Sequence, residues 1–239
     1  GIGHTGRFAD YWELIAKESA TSLSGFNIKP EKTTQLDSGL LYKKGDTEFS
    51  ASVFYNQVDD FILVNYTNPM KRNGYVENVD SKSFGGELSI SYNLTKQLKV
   101  DSALSYVKAT NRTDNQPLPQ IAPLEWRSSL TYSQNNWSVG GLMRVVDAQH
   151  RFTIDKGNIV GKDLGKSSGF AIFSLNANWQ LSEALRLTGG IDNLFDRNYA
   201  EFVSRAGGNG MGGAIAGYIQ TDRVNEPGRT LWLQLQLSM

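Results

Sequence analysis

The chain has 239 residues, and its 24 basic side chains are balanced by 24 acidic ones, which removes the cationic excess that nucleic-acid binding relies on. It has no cysteine, so disulfides, thiolate metal sites and a cysteine nucleophile are excluded. Only 39% of it is hydrophobic and its longest apolar runs are 61–64 and 170–173, far below the roughly 20 residues of a membrane-spanning helix.

Taken in chain order, Gly1-Ile2-Gly3-His4 carries neither a start methionine nor a signal peptide, so the sequence reads as a processed chain or a piece of a longer one. Residues 1–8 suggest a remnant strand. Helical spacing is confined to Tyr11-Trp12-Glu13-Leu14-Ile15, which reads as a turn or two inside a loop. Beyond it, strict alternation of apolar and polar residues predicts strands with two different faces. Phe49, Ala51, Val53 and Tyr55 alternate with Ser50, Ser52, Phe54 and Asn56; Leu231, Leu233, Leu235 and Leu237 alternate with Trp232, Gln234, Gln236 and Ser238. The expected strands are 32–44, 47–64, 75–94, 97–109, 123–134, 137–149, 169–181, 185–197 and 228–239.

Their connections alternate in length. Short ones lie at Lys44-Gly45-Asp46, Thr95-Lys96, Gln134-Asn135-Asn136 and Ser182-Glu183-Ala184. Long polar ones cover 9–30, 65–75, 110–122, 150–168 and 198–226. Short turns on one side and long loops on the other describe an outer-membrane barrel. The apolar sets contain no charged residue, while the alternate positions are mostly Ser, Asn, Gln and Thr, which suits a hydrated lumen. Tyr42, Phe49, Tyr92, Tyr132, Trp137 and Trp179 gather next to the short turns on the outward face, forming a girdle at one bilayer interface. The pattern therefore predicts an all-β, antiparallel transmembrane β-barrel, with outer-membrane lipid around it. A soluble β-sandwich, burying the same apolar face under a second sheet, is the competing architecture.

Several segments carry a family resemblance. Gly3-His4-Thr5-Gly6-Arg7-Phe8-Ala9-Asp10-Tyr11-Trp12-Glu13-Leu14, Asn27-Ile28-Lys29-Pro30-Glu31-Lys32, Gly190-Ile191-Asp192-Asn193-Leu194-Phe195-Asp196-Arg197-Asn198-Tyr199 and Pro227-Gly228-Arg229 resemble the TonB-dependent outer-membrane receptors. Arg7-Phe8-Ala9-Asp10-Tyr11-Trp12-Glu13-Leu14, Leu118-Pro119-Gln120, Gly157-Asn158-Ile159-Val160-Gly161-Lys162-Asp163 and Asn225-Glu226-Pro227-Gly228-Arg229-Thr230-Leu231-Trp232 are similar to the copper receptors of that family. The resemblance implies a plugged 22-stranded barrel, of which residues 1–239 would supply roughly the last ten strands as its C-terminal portion. It further implies a non-enzymatic receptor of the bacterial outer membrane, partnered by TonB and by its own plug domain. Copper would be the transported substrate, with siderophore-bound iron as the alternative. The copper ligands would belong to the plug and the earlier barrel, so no catalytic, cofactor or metal residue is assigned in this chain. A terminal Met239 departs from the aromatic residue with which such barrels usually end.

Other candidates carry a plainer reading beside the functional one. His4, His150, Met70, Met143 and Met211 are the residues that could offer imidazole or soft sulfur ligands. Met143 shares the face of Trp137, Val139 and Val145 and is expected to meet lipid, while His150 faces inward or begins a loop. Asp147 and His150, with Asp59 and Asp60, suggest a water-activating rim of the kind found in ten-stranded outer-membrane proteases, although carboxylates at such junctions are usually solvated ends. Gly207-Gly208-Asn209-Gly210-Met211-Gly212-Gly213 lacks the strand-before and helix-after context of a phosphate loop and reads as an extracellular loop. Arg127, Arg144 and Arg186 point into the lumen by parity, where plug contact is the expected role.

Overall fold

The computed structural model describes residues 1–14, 27–67, 74–207 and 222–238. Ten strands follow one another in a single antiparallel path: β1 (Ile2–Arg7), β2 (Glu31–Lys44), β3 (Thr47–Asn65), β4 (Tyr75–Asn93), β5 (Leu98–Asn111), β7 (Glu125–Gln134), β8 (Trp137–Val146), β10 (Phe170–Gln180), β11 (Leu185–Asp192) and β12 (Thr230–Leu237). Two short strands lie beside it: β6 (Gln116–Pro117) pairs with β5, and β9 (Lys156–Gly157) pairs with β3. The one described helix, α1 (Tyr11–Leu14), is the expected turn inside a loop. β1 and β12 occupy the two ends of the path. The sheet is an arc of barrel wall.

Turn chemistry explains the short connections. The β2–β3 and β7–β8 hairpins close on Lys44↔Thr47 and Gln134↔Trp137, and each uses a left-handed residue, Gly45 at φ 56° and Asn135 at φ 49°. Asn and Gly occupy that region at little cost. The strands meanwhile keep one register from neighbour to neighbour, so the two faces stay separate across the whole arc. Leu98, Tyr132, Val139, Ala177, Gly189 and Leu233 form one such outward row. On β12 the outward leucines Leu231, Leu233, Leu235 and Leu237 are 64% to 75% exposed. All described strands belong to one sheet, so no second sheet covers this face, as a sandwich would require. Its solvent is lipid.

The expected girdle of aromatics holds its position. Tyr42 opposes Phe49, Trp137 opposes Trp179, and the Tyr132 and Trp137 rings lie 5.5 Å apart, all at the short-turn end. On the inner face, glycines make room for aromatics across the ladder. A Cβ on Gly190 would stand 2.6 Å from the Trp232 ring, and one on Gly85 2.8 Å from Phe54.

Most strand ends fall within two residues of the sequence reading, and two differ by more. β8 stops at Val146 rather than 149, and β11 stops at Asp192 rather than 197. In the second case Asn193 turns left-handed at φ 50°. Its side chain accepts the Arg197 amide at 2.9 Å and donates to the Arg197 and Pro227 carbonyls. Asp196 then accepts the Arg229 amide at 2.7 Å, and Gly228 gives it space, since a Cβ there would lie 2.7 Å from that carboxylate. The 190–199 and 227–229 segments are thus two halves of one buckle that starts the last strand.

The core sits entirely on the long-loop side. Ile62, Leu63, Val64, Val76, Val79, Leu118, Phe170 and Phe202 are all buried. Ile62, Leu63, Val64, Val76 and Val79 lie where β3 and β4 continue past a bulge between Val58 and Phe61, with Asp60 left-handed at φ 58°.

Candidate functional site

The inner face carries a polar lattice built by the register. Ser50 and Ser89 share a 2.6 Å hydrogen bond between opposing strands, and Thr188 donates to Asn178 at 2.8 Å. Lys43 pairs with Glu48 and Lys99 with Asp101. The three lumenal arginines all have in-chain partners. Arg144 reaches Glu125 at 2.6 Å and Glu201 at 2.5 Å, and its guanidinium lies 5.3 Å above Phe170. Arg127 pairs with the same Glu125, and Arg186 donates to Gln180 at 2.8 Å. Arg144 thereby draws Glu201, far along the chain, back against the wall. Phe170 and Tyr199 stack beside it at 4.4 Å.

Above the wall, buried polar groups tie the long loops together. Asp163 is 1% exposed. It accepts the Gln120 amide at 2.9 Å, the Gln120 side chain at 3.0 Å and the Thr153 amide at 2.9 Å, joining the 112–124 and 147–169 connections. Gln120 meets it from a left-handed backbone, φ 62°. Asn158 caps the turn before it by accepting the Val160 and Gly161 amides, and Gly157 is required because a Cβ would lie 2.1 Å from the Gly161 carbonyl. Arg223 donates to the carbonyls of Phe202, Lys166 and Gly165, which locks the last long connection onto 147–169. Tyr66 donates to the Asn158 carbonyl at 2.7 Å, and burial pushes its phenol above the ordinary value.

At the first loop, Asp10 and Glu13 form a reciprocal cap: Asp10 accepts the Glu13 amide and Glu13 accepts the Asp10 amide, both at 2.9 Å. Glu13 and Glu31, both buried, hold Arg7 in a double fork. Glu31 also accepts the Ile62 amide at 2.8 Å. The segments that carry the resemblance are therefore structural nodes of the loops.

The sequence-derived ligand candidates are dispersed. His4 points outward from β1 and bonds Thr34 at 3.0 Å. Met143 is on the outward face, opposite Ser128 and Phe173, as expected. His150 begins a loop and borders a cleft of about 900 Å³ that also involves Phe152, Lys166, Arg197, Tyr199 and Asp222. Met70, Met211, Met239 and the 208–213 part of the glycine run lie outside the described residues. Among the described residues, no group of three or more His, Asp or Glu is placed to hold a metal ion.

The rim-protease arrangement is not assembled. Along the wall, β4, β5 and β7 lie between β3, which carries Asp59 and Asp60, and β8, whose end leads into Asp147 and His150. Asp59 opposes Lys32, Asp60 pairs with Lys29 at 3.5 Å, and Asp147 accepts the Ala148 amide. Sequence reasoning missed Asp163, Glu13, Glu201 and Arg223. Only Glu13 had a local signal, the Asp-x-x-Glu spacing of the cap.

An antiparallel arc with apolar outside, polar inside and tied outer loops is matched by comparison with known proteins. Residues 1–194 match the family model described as TonB dependent receptor-like, beta-barrel. The chain belongs to this family. It is a bacterial outer-membrane protein and not an enzyme. Among solved structures, the copper transporter OprC is 44% identical over 99% of this chain and 36% of that one, with a TM-score of 0.92. The ferric enterobactin receptor PfeA of Pseudomonas aeruginosa is 22% identical over 89% of this chain and 32% of that one, at 0.66, and shares the fold. The ferrienterobactin receptor of Escherichia coli K12 is 37% identical over 81 residues, 32% of this chain and 10% of that protein. The chain thus spans about a third of the length of these solved relatives.

Proposed function

We propose that residues 1–239 are the C-terminal part of the barrel of a receptor that imports copper across the outer membrane. TonB would supply the energy by acting on a plug domain carried elsewhere in the protein. The observation that carries this reading is the 44% identity and 0.92 TM-score to a copper transporter over 99% of the chain. The loop nodes support it, because Gln120, Asn158, Asp163 and Arg229 all lie in the segments that resemble copper receptors. In this reading the part of the receptor described here provides wall, lumen lining and outer mouth. Soft sulfur and imidazole ligands suit copper, and the plug and earlier strands would supply them.

The test is cell-associated copper under copper limitation in wild type, a deletion strain and a strain lacking TonB. Copper import predicts lower metal in both mutants, restored by complementation in the first. A second reading, import of a siderophore-bound iron, is favoured by the segment shared with the ferrienterobactin receptor. Unchanged copper together with a lost growth response to ferric siderophore would select it instead.

A further inference from the structure

The outward face of β3, β4 and β5 changes character toward the long loops. Val53, Leu88 and Leu104 come first, all exposed apolar side chains. Next comes an aromatic row: Tyr55 opposes Phe84, and the Phe84 and Tyr106 rings lie 6.5 Å apart. This second aromatic row marks the outer bilayer interface, as the row near the short turns marks the inner one. Lys108 directly opposes Phe84, and Lys82 sits two residues beyond Phe84, opposing Gln57 and Thr110. Parity places both lysines on the outward face, and both are exposed. At about 3.4 Å per residue they stand within a few ångströms above the rings, which is headgroup depth.

Lys43, Lys99, Lys156 and Lys162 all have carboxylate partners. Like Lys32, Lys44, Lys96 and Lys166, Lys82 and Lys108 form no ion pair among the described residues, and their depth beside the outer aromatic row is what sets them apart. The carboxylates of the same face lie farther out: Asp59 opposes Lys32, and Asp80 is turned to the Asp60 amide. Two arginines lie nearby: Arg151 donates to the Tyr106 hydroxyl at 2.7 Å with its guanidinium 5.0 Å from that ring, and Arg112 has its amide bonded to the Asp80 carbonyl. The order from the membrane outward is therefore apolar, aromatic, cationic, then mixed charge.

We propose that Lys82 and Lys108 hold a phosphate of the phosphorylated glycolipid of the outer leaflet, with its acyl chains against Val53, Leu88 and Leu104. Lysine recognises phosphate as a point charge, and long lysine stems reach from an apolar wall into the headgroup layer. The assignment is independent of cargo, so it stands or falls separately from copper import.

The receptor, purified from outer membranes in mild detergent and delipidated, is titrated with bisphosphorylated lipid A, dephosphorylated lipid A, phosphatidylglycerol and inorganic phosphate, using native mass spectrometry. Wild type is expected to retain bisphosphorylated lipid A above the other three. The Lys82→Ala/Lys108→Ala double variant should bind it about tenfold or more weakly. Lys82→Arg/Lys108→Arg should bind as wild type does, and so should Lys44→Ala, which alters an outward lysine at the short-turn end. Equal retention by the double alanine variant overturns the proposal. So does equal binding of dephosphorylated lipid A or phosphatidylglycerol to wild type, an arm that needs no variant to fold. Competition by inorganic phosphate at the lipid's own concentration would reassign the site to a free anion.

Discussion

Replacing Asp163 by Ala should release two loops from each other while leaving the barrel wall intact. The carboxylate is 1% exposed and accepts three hydrogen bonds, from the Gln120 amide, the Gln120 side chain and the Thr153 amide. Hydrogen bonds to a charged group contribute about 1.5–3 kcal/mol each, so the gross loss is roughly 4.5–9 kcal/mol. Part of it is returned, because the variant no longer buries a charge, which costs several kcal/mol. A net local destabilisation of about 3 kcal/mol remains, or roughly a hundredfold in the opening equilibrium.

Amide hydrogen exchange is the assay, because it reports local opening segment by segment. Peptides covering 112–124 and 150–168 should exchange about a hundredfold faster in Asp163→Ala, while β7 and β8 keep their protection. Asp163→Asn gives an internal calibration. Its amide oxygen can still accept both bonds from Gln120 but its nitrogen cannot accept from Thr153, so about a tenfold effect centred on Thr153 is expected. Unchanged exchange in both loops would refute the node. So would equal acceleration in the strands, since Asp163 would then be supporting the wall.

Other substitutions probe the remaining joints. Gly190→Val puts a side chain into the Trp232 ring, 2.6 Å away, and against the Leu175 carbonyl at 2.7 Å; overpacking of about 1–3 kcal/mol should lower the temperature at which the folded barrel band is lost on a gel. Arg144→Met leaves Glu125 and Glu201 without their shared cation, a cost of about 2–3 kcal/mol, and tryptic cleavage at Arg205 should accelerate at least tenfold. Asp10→Ala removes the cap of α1, with a loss of about 0.5–2 kcal/mol read as faster exchange of the Glu13 amide.

How much of this was legible beforehand divides along the membrane. The wall was, because lipid on one side and a wet lumen on the other force a period of two that no tertiary contact overrides. Met143 and the aromatics from Tyr42 to Trp179 take the faces their parity requires. The loops were not. Asp163 finds its partner 43 residues away in Gln120, and Arg144 finds Glu201 57 residues away. No local periodicity encodes such pairs. β11 was read five residues too long, to 197, whereas it ends at Asp192. The left-handed turn at Asn193 that ends the strand depends on Arg197 and Pro227.

The distribution of burial explains why the identifying segments are loops. The buried hydrophobic side chains described here lie toward the long-loop side, Leu63 at 0% exposure among them, whereas the membrane half places most of its large apolar residues on the outward face. Lipid makes a uniform demand on that face, so many sequences satisfy it equally and relatives at 22% identity still share the arc. The outer part has to fold like a small soluble protein, with a specific core and with each buried carboxylate or guanidinium given a partner. Sequence is constrained there by particular contacts: Gly157 under the Gly161 carbonyl, Asn158 over two amides, Asp163 between two loops. Those contacts close within this chain, so the outer mouth is held in shape by its own side chains, each loop fixed by a partner many residues away rather than by its local sequence.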